Sequence, residues 1–357
     1  MYSSLLLATA TCISLRLTTA QNTSSYSPST LATSLEFSQP ASSLPFPDTS
    51  AVSTYANTSN NATAKYIRRE WDLYNERIQW GQPDLQFVQD PDTSASDEDL
   101  VLRVDYPEGS YSHATGGTQF YSQPLNSSST PTAPSALLTY SLYIPSDFNF
   151  VKAGKLPGLR GGPSVNDCSG GDQTDGKKCF SARLMWRDGG VGEVYAYIPI
   201  TDSLCSQTGV ICNSDYGTSL GRGSFTFQRG AWNDIALHVR LNNPVDKANG
   251  VVEVYYNGVR ATTFSNLVLR TSDSISSAGG IYFSTFFGGD DAATYATPTE
   301  QSLYFKDMQV FGAAEPAQGD GEGYKLKNAA VTTGKIGGDV RVMVGAVVGL
   351  VAMVMII

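Results

Sequence analysis

The sequence predicts an all-β fold: a two-sheet sandwich of the β-jelly-roll kind. Three observations support this. Short segments of alternating apolar and polar residues recur through the centre of the chain, turn-forming residues separate them, and helical periodicity is almost absent. Many short strands without helices between them are typical of antiparallel sandwiches.

Nine segments have the strand pattern. They are LVLRVDY from Leu100, LLTYSLYI from Leu137, FSARLMW from Phe180, EVYAYIP from Glu193, SFTFQR from Ser224, DIALHVRL from Asp234, VVEVYYNGVRATTF from Val251, GIYFSTFFG from Gly280 and LYFKDMQVF from Leu303. Asn257-Gly258 predicts a tight hairpin turn, because both residue types accept positive φ angles. Only residues 65–78 (KYIRREWDLYNERI) have a helical pattern.

The N-terminal residues predict export from the cell. Residues 1–20 combine an apolar run with the small residues Thr18-Thr19-Ala20, as in a cleavable signal peptide. A short buried helix is the alternative. Residues 21–64 are rich in Ser, Thr, Asn and Pro and predict a disordered, O-glycosylated stalk, which leaves residues 65–313 as the folded domain.

The C-terminus predicts a lipid anchor. Residues 314–341 form a polar linker that includes the small-residue run Asn328-Ala329-Ala330, and residues 342–357 are an uncharged apolar tail. A small-residue site, a spacer and a hydrophobic tail together are the signal for a glycosylphosphatidylinositol (GPI) anchor, after which the tail is removed. Asn328 is the expected attachment residue, with Gly337 and Gly338 as alternatives. A short tail-anchored helix is the competing interpretation.

The cysteines agree with an oxidising compartment. Four remain after removal of the signal peptide, and we expect the local pairs Cys168 with Cys179 and Cys205 with Cys212 among three possible connectivities. A zinc site is the alternative, but the spacings match no common zinc motif. Four Asn-x-Ser/Thr sequons predict N-glycosylation at Asn22, Asn57, Asn61 and Asn126.

Composition and motifs exclude several functions. A net charge of −9 and a pI near 4.8 argue against a nucleic-acid partner. The G-x-S-x-G match at residues 217–221 lacks the strand–turn–helix context of a hydrolase nucleophile. With two histidines in the chain, a His-based metal centre is not expected, and His238 is expected to be an ordinary strand residue. No paired-carboxylate glycosidase motif is present.

Residues 179–199 (CFSARLMWRDGGVGEVYAYIP) predict a hairpin with an unusual polar face. With a three-residue turn at Asp188-Gly189-Gly190, Ser181 lies opposite Tyr197 and Arg183 opposite Tyr195. Side chains alternate along a strand, so these four side chains share the face away from the core, about 5 Å apart across each pair. A solvated outer face is one interpretation of this patch. A sugar-binding cleft is the other, because sugars stack on aromatic rings.

Five stretches resemble polysaccharide lyase family 14. They are residues 106–124 (YPEGSYSHATGGTQFYSQP), 155–162 (KLPGLRGG), 179–199, 281–289 (IYFSTFFGG) and 304–311 (YFKDMQVF). The resemblance implies a concanavalin A-like jelly roll that cleaves alginate or glucuronan by β-elimination. It also implies an active site of a Lys, a Ser-x-Arg pair and a Tyr-x-Tyr pair, here Lys155, Ser181 with Arg183, and Tyr195 with Tyr197.

The implied chemistry suits these residue types. A guanidinium such as Arg183 neutralises a uronate carboxylate through two parallel hydrogen bonds, which makes the C5 proton removable. Tyr195 and Lys155 are expected to act as base and acid in one order or the other, since nearby cations favour a phenolate. Ser181, Tyr197 and Arg187 are expected to position the sugar, without a metal or cofactor.

The sequence therefore predicts a secreted, surface-anchored, monomeric lyase of acidic polysaccharides. A non-catalytic, lectin-like jelly roll that binds acidic glycans is the main alternative. A structural wall protein with an incidental polar patch is the third.

Overall fold

The structure is a computed structural model that describes residues 27–37, 42–56, 61–92, 99–125 and 132–327. The predicted signal peptide, the sequons at Asn22, Asn57 and Asn126, the anchor residue Asn328 and the apolar tail lie outside these ranges. No helix of the described residues is long and apolar enough to cross a bilayer.

The chain forms short helices and eighteen strands in the described residues. The α-helices are α1 (Pro28–Ser34), α2 (Val52–Tyr55), α3 (Ala62–Glu70) and α4 (Ala292–Tyr295). The strands are β1 (Ser42–Ser43), β2 (Leu73–Trp80), β3 (Leu85–Val88), β4 (Val101–Tyr106), β5 (Thr118–Ser122), β6 (Ser135–Ile144), β7 (Ala153–Gly161), β8 (Phe180–Arg187), β9 (Gly192–Tyr197), β10 (Val210–Ile211), β11 (Thr218–Leu220), β12 (Ala231–Arg240), β13 (Lys247–Ala248), β14 (Gly250–Tyr256), β15 (Val259–Leu267), β16 (Gly280–Phe287), β17 (Gln301–Ala313) and β18 (Glu322–Gly323).

Two large antiparallel sheets form a sandwich, which confirms the predicted fold class. The cleft sheet has the strand order β10-β11-β9-β8-β7-β16-β5-β2, and the back sheet has the order β15-β14-β12-β6-β17-β4-β3, with β1 paired to β17. One hydrophobic core lies between them and includes the fully buried Trp71, Trp186 and Phe283. Burying an aromatic or aliphatic side chain of this size stabilises the fold by about 1.5–3 kcal/mol.

The hairpin β8–β9 has the predicted register. Ser181 pairs with Tyr197, Arg183 with Tyr195, and the turn contains Gly189 at φ 68°. The apolar residues of alternate positions, such as Leu184 and Val194, point into the core. The hairpin turn at Asn257-Gly258 is also confirmed, with both residues at positive φ.

Two of the sequence-based assignments are wrong. The predicted helix over residues 65–78 is helical only to Glu70, and the rest is strand β2, because left-handed backbone at Asp72, Asn75 and Glu76 is incompatible with a helix. The segment SFTFQR is not a strand, since only an isolated bridge joins Thr226 to Val191.

Strand β7, which carries Lys155, was not predicted at all. Its sequence AGKLPGLRG contains three glycines and a proline, which weaken a strand pattern. Gly158 is required by close packing, because a Cβ atom there would lie 2.1 Å from the carbonyl oxygen of Ala182 on β8. A register shift between Lys155 and Gly158 accommodates Pro157.

The segments that flank the predicted domain are folded where the structure describes them. Within the expected stalk, Ala32 and Phe37 pack on the outer face of the back sheet and Leu44 and Tyr55 enter the main core. Within the expected linker, Ala317 is buried and β18 pairs with β13. A few buried apolar residues are enough to attach these mostly polar segments to the sandwich. The average composition of each segment does not reveal such single residues.

Candidate active site

A cleft of about 800 Å³ lies on the outer face of the cleft sheet. Strands β7, β8 and β9 supply its floor, and the loops around residues 169–170, 211–217 and 288–290 supply its walls. It brings together five of the six predicted residues, namely Lys155, Arg183, Arg187, Tyr195 and Tyr197. Ser181 is not among the lining residues.

The polar patch is a buried cleft floor, so the solvated-face interpretation is wrong. Arg183, Tyr195 and Tyr197 are 2%, 7% and 1% exposed. Side chains of this polarity are rarely so buried unless they are hydrogen-bonded or functional. The loop between β7 and β8 covers them from one side and the loop before β11 from the other.

Ser181 and Tyr197 hold the covering loop. The Ser181 hydroxyl donates to the carbonyl of Cys168 at 2.7 Å, and the Tyr197 hydroxyl accepts from the backbone N–H of Gly171 at 2.8 Å. The disulfide between Cys168 and Cys179 closes the same loop. Both side chains therefore hold the loop that borders the cleft, and a role for Ser181 in positioning the sugar stays a prediction.

Tyr195 is held by a glycine. Its hydroxyl accepts a hydrogen bond from the backbone N–H of Gly217 at 3.0 Å. A Cβ atom at Gly217 would lie 2.9 Å from Cζ of Tyr195 and 3.0 Å from Cε2 of Tyr197. Only glycine lets the backbone approach both rings this closely.

Lys155 lies directly beside Tyr195. Its Nζ is 3.8 Å from the centroid of the Tyr195 ring and donates to Sδ of Met185 at 3.1 Å. Burial, followed by the charges of Arg183 and Arg187, lowers the pKa of Lys155 well below its usual range. A lowered pKa favours the unprotonated amine, which is the form of lysine that can accept a proton.

Arg183 is the cation at the centre of the floor. Its Nη1 donates to Ser284 Oγ at 3.3 Å, and its Cζ lies 4.1 Å from the centroid of the Tyr282 ring. Gln119 Oε1 accepts from both Ser284 and Tyr282. Nε of Arg183 has no partner in the part of the chain that the structure describes. That atom is shielded, but Arg183 lines the cleft and only Nη1 is hydrogen-bonded to a described side chain, so the guanidinium is suited to an anionic ligand.

Arg187 has a more specific environment than the sequence predicted. Its Nε and Nη2 donate to Oε1 of Glu193 at 2.9 and 2.5 Å, while Oε2 of Glu193 accepts from Arg222 Nε and Ser219 Oγ, each at 2.6 Å. Arg222 also lines the cleft. Among the described residues, the cleft lining contains one carboxylate, Asp290, and four basic side chains of Lys or Arg, although the protein has a net charge of −9: Lys155, Arg183, Arg187 and Arg222.

Sequence reasoning missed Met185, Gln119, Glu193 and Arg222. Met185 follows Arg183 by two residues, so strand alternation places both on one face, and this signal was available. Gln119 reaches the site through the pairing of β5 with β16, which local sequence does not reveal. Arg222 lies in a turn beyond β11 and has no pattern of its own.

The structure also shows where the predicted disulfides and the G-x-S-x-G match lie. Both predicted disulfides, Cys168–Cys179 and Cys205–Cys212, are present. Ser219 of the G-x-S-x-G match lies on β11 and bonds Glu193, as a strand residue. Asn61 stays a predicted glycosylation site and immediately precedes α3.

His238 is the strand residue that was predicted. It lies buried on β12 in the back sheet, with its ring nitrogens 2.9 Å from Glu253 and 3.2 Å from Ser135. In the described ranges no three or more His, Cys, Asp or Glu side chains are grouped as a metal site would require.

Comparisons with known proteins agree with this geometry. The family model described as Polysaccharide lyase 14 matches residues 94–308. The chain is similar to the crystal structure of the marine PL-14 alginate lyase from Aplysia kurodai, with 35% sequence identity, a TM-score of 0.60, and coverage of 70% of this chain and 94% of that one.

Two more distant structures share the fold. Alginate lyase vAL-1 from Chlorella virus is 18% identical with a TM-score of 0.55, and the match covers 76% of this chain and 100% of that one. A variant of alginate lyase Aly36B, solved with an alginate trisaccharide, is 18% identical with a TM-score of 0.52 and coverage of 70% and 92%. Comparison with curated protein sequences gives no match.

Proposed function

Because the chain belongs to the polysaccharide lyase 14 family, and is thus a polysaccharide lyase, we propose that it cleaves a polyuronate, alginate or glucuronan, by β-elimination. The observation that carries the proposal is the juxtaposition on the cleft floor of an incompletely paired guanidinium, an amine of lowered pKa and a phenol. These are the three groups that elimination from a uronate needs.

Arg183 binds the C6 carboxylate of the reacting sugar. The C5 proton is too weakly acidic to be lost while the neighbouring carboxylate keeps its full charge. The guanidinium neutralises that charge and stabilises the excess negative charge that develops when the proton leaves. The Ser284 and Tyr282 contacts keep the guanidinium in place without using all of its donors.

Lys155 is the base. Burial and the charges of Arg183 and Arg187 lower the pKa of Lys155, which favours the unprotonated amine that a base must present. Its contact with Met185 orients Nζ while leaving the lone pair available, since a thioether sulfur is only an acceptor.

Tyr195 is the acid. Its hydroxyl oxygen accepts the Gly217 N–H, so its own proton is free to be donated to the glycosidic oxygen O4. The C5–H and C4–O4 bonds break, a C4=C5 double bond forms, and the two protein groups exchange one proton each with the substrate. Return of one proton from Lys155 to the Tyr195 phenolate, through solvent after the product leaves, restores the starting state.

The proposed reaction uses protein charges alone, so chelators should leave it unaffected. The test is incubation of the protein with alginate and with glucuronan, following the ultraviolet absorbance of unsaturated uronate ends, with and without EDTA. We expect absorbance to rise on at least one polymer at the same rate in both conditions. Binding without turnover would instead support the lectin-like alternative.

We also propose that the protein is secreted, glycosylated and held at the outer cell surface by a GPI anchor at Asn328. The support is the order of small-residue site, spacer and apolar tail at the C-terminus, together with the N-terminal signal pattern and the sequons. Phosphatidylinositol-specific phospholipase C should release the protein from intact cells. An Asn328→Pro variant that is still released by the lipase would show that attachment occurs elsewhere.

A further inference from the structure

Two arginines share a single buried carboxylate at one end of the cleft. Glu193 is fully buried, and each of its carboxylate oxygens accepts from a different arginine: Oε1 from Arg187 and Oε2 from Arg222. Arg187 donates two hydrogen bonds to Glu193 and Arg222 donates one, and Ser219 adds a fourth. Burial alone would raise the pKa of Glu193, but the hydrogen bonds and charges of Arg187, Ser219 and Arg222 outweigh it and lower the pKa. Glu193 is therefore an anion.

The cluster has one positive charge more than its internal pairing needs. One arginine together with Ser219 would satisfy the carboxylate, yet a second arginine is present. The side chain of Arg222 is 39% exposed and donates to Glu193 only through Nε. Its two terminal nitrogens meet no acceptor among the described residues, and the side chain lines the cleft. A guanidinium fixed by one nitrogen and open at the other two is arranged to hold a second, external carboxylate.

The cluster lies beside the reacting groups on the same face of the cleft sheet. Glu193 pairs with Met185 across β8–β9, and Met185 pairs with Lys155 across β7–β8. Tyr195 is two residues from Glu193 on the same face of β9, a separation of about 6.8 Å. The cluster and the reacting groups therefore occupy neighbouring positions on one face of the sheet, and Arg183 and Arg222 line the same cleft.

We propose that Arg222, assisted by Arg187, forms a second carboxylate-binding subsite for the uronate next to the scissile bond, with Glu193 as a positioning residue. This inference rests on the proposed function and deepens it. It makes the enzyme selective for chains in which consecutive rings carry carboxylates, since a neutral ring would leave the terminal nitrogens of Arg222 without an anionic acceptor. The surplus charge also attracts the polyanion to this end of an otherwise acidic protein.

The test compares Arg222→Gln and Arg222→Lys with Arg69→Gln, which removes the same charge from an exposed arginine on α3 that does not line the cleft. Initial rates on the cleaved polymer give kcat and KM. We expect Arg222→Gln to raise KM about tenfold, the scale of one partly exposed charged hydrogen bond, with kcat changed less than about threefold. Arg222→Lys should fall between, and Arg69→Gln should match wild type.

A second test measures affinity without turnover. Calorimetry gives the Kd of a uronate tetrasaccharide for the Lys155→Ala variant and for the double variant Lys155→Ala/Arg222→Gln. Binding about tenfold weaker supports the subsite. An unchanged KM and affinity would overturn it, as would a fall in kcat with KM unchanged, which would indicate an effect through Tyr195. If wild type cleaves neither polymer, the proposed function fails, while the calorimetric comparison still decides whether the subsite exists.

Discussion

Gly217→Ala should damage catalysis although it adds one methyl group and removes no functional group. The new Cβ would lie 2.9 Å from Cζ of Tyr195, about half an ångström or more inside ordinary carbon–carbon contact. Tyr195 must move by about that amount, which disturbs its hydrogen bond with the Gly217 N–H. A displacement of 1 Å costs about a hundredfold in rate, so we expect kcat to fall about tenfold. Overpacking should also lower the free energy of unfolding by about 1–3 kcal/mol.

The matched control is Gly323→Ala. Gly323 is exposed, its backbone is not left-handed, and an added Cβ would have no neighbour within 4 Å. Steady-state kinetics and thermal unfolding of both variants make the comparison, and a Tyr195→Phe background separates the causes. In that background Gly217→Ala should cost little further activity, because the two changes act through one group. The reasoning is refuted if Gly217→Ala and Gly323→Ala have the same kcat within about twofold.

Two further perturbations test the electrostatics and the covering loop. Arg187→Gln removes a positive charge that lowers the pKa of Lys155, so the rising limb of the pH profile of kcat/KM should move to higher pH; a move to lower pH would contradict Lys155 as the base. Replacing Cys168 and Cys179 by Ala opens a loop of sequence separation 11 and should cost about 2–4 kcal/mol of stability in thermal unfolding. Because Gly171 of that loop donates a hydrogen bond to Tyr197, KM of the variant should rise more than its kcat falls. A KM equal to that of the wild type would argue that the loop does not shape the cleft.

The hairpin shows what sequence can establish. Strand alternation and the three-residue turn predicted both the register and the shared face of Arg183 and Tyr195, because these depend only on local geometry. The same reasoning could not find Gly217 or Gln119. Gly217 meets Tyr195, and Gln119 meets Ser284, through pairing of strands that are distant in sequence. The local sequence pattern does not indicate which distant strands pair.

Lys155 illustrates the opposite case. Its strand contains a proline and three glycines, which weaken the strand pattern, and the glycines permit close packing against β8. Only the family resemblance therefore indicated the residue. The helix prediction beyond Glu70 failed because helical spacing of apolar residues in a short segment is satisfied equally by a bulged strand. Tertiary contacts decided between the two.

The central claim, cleavage by elimination, is tested most directly by the mass of the products. Digestion of a defined uronate tetrasaccharide followed by mass spectrometry distinguishes elimination from hydrolysis, because elimination adds no water. We predict fragment masses that sum to the mass of the substrate, with the unsaturated fragment lighter by one water than its hydrolytic counterpart. The same fragments should be absent with folded Lys155→Ala. Fragments whose summed mass exceeds that of the substrate by one water would contradict the account. Failure of the folded wild-type protein to cleave either an alginate or a glucuronan oligosaccharide would also contradict it.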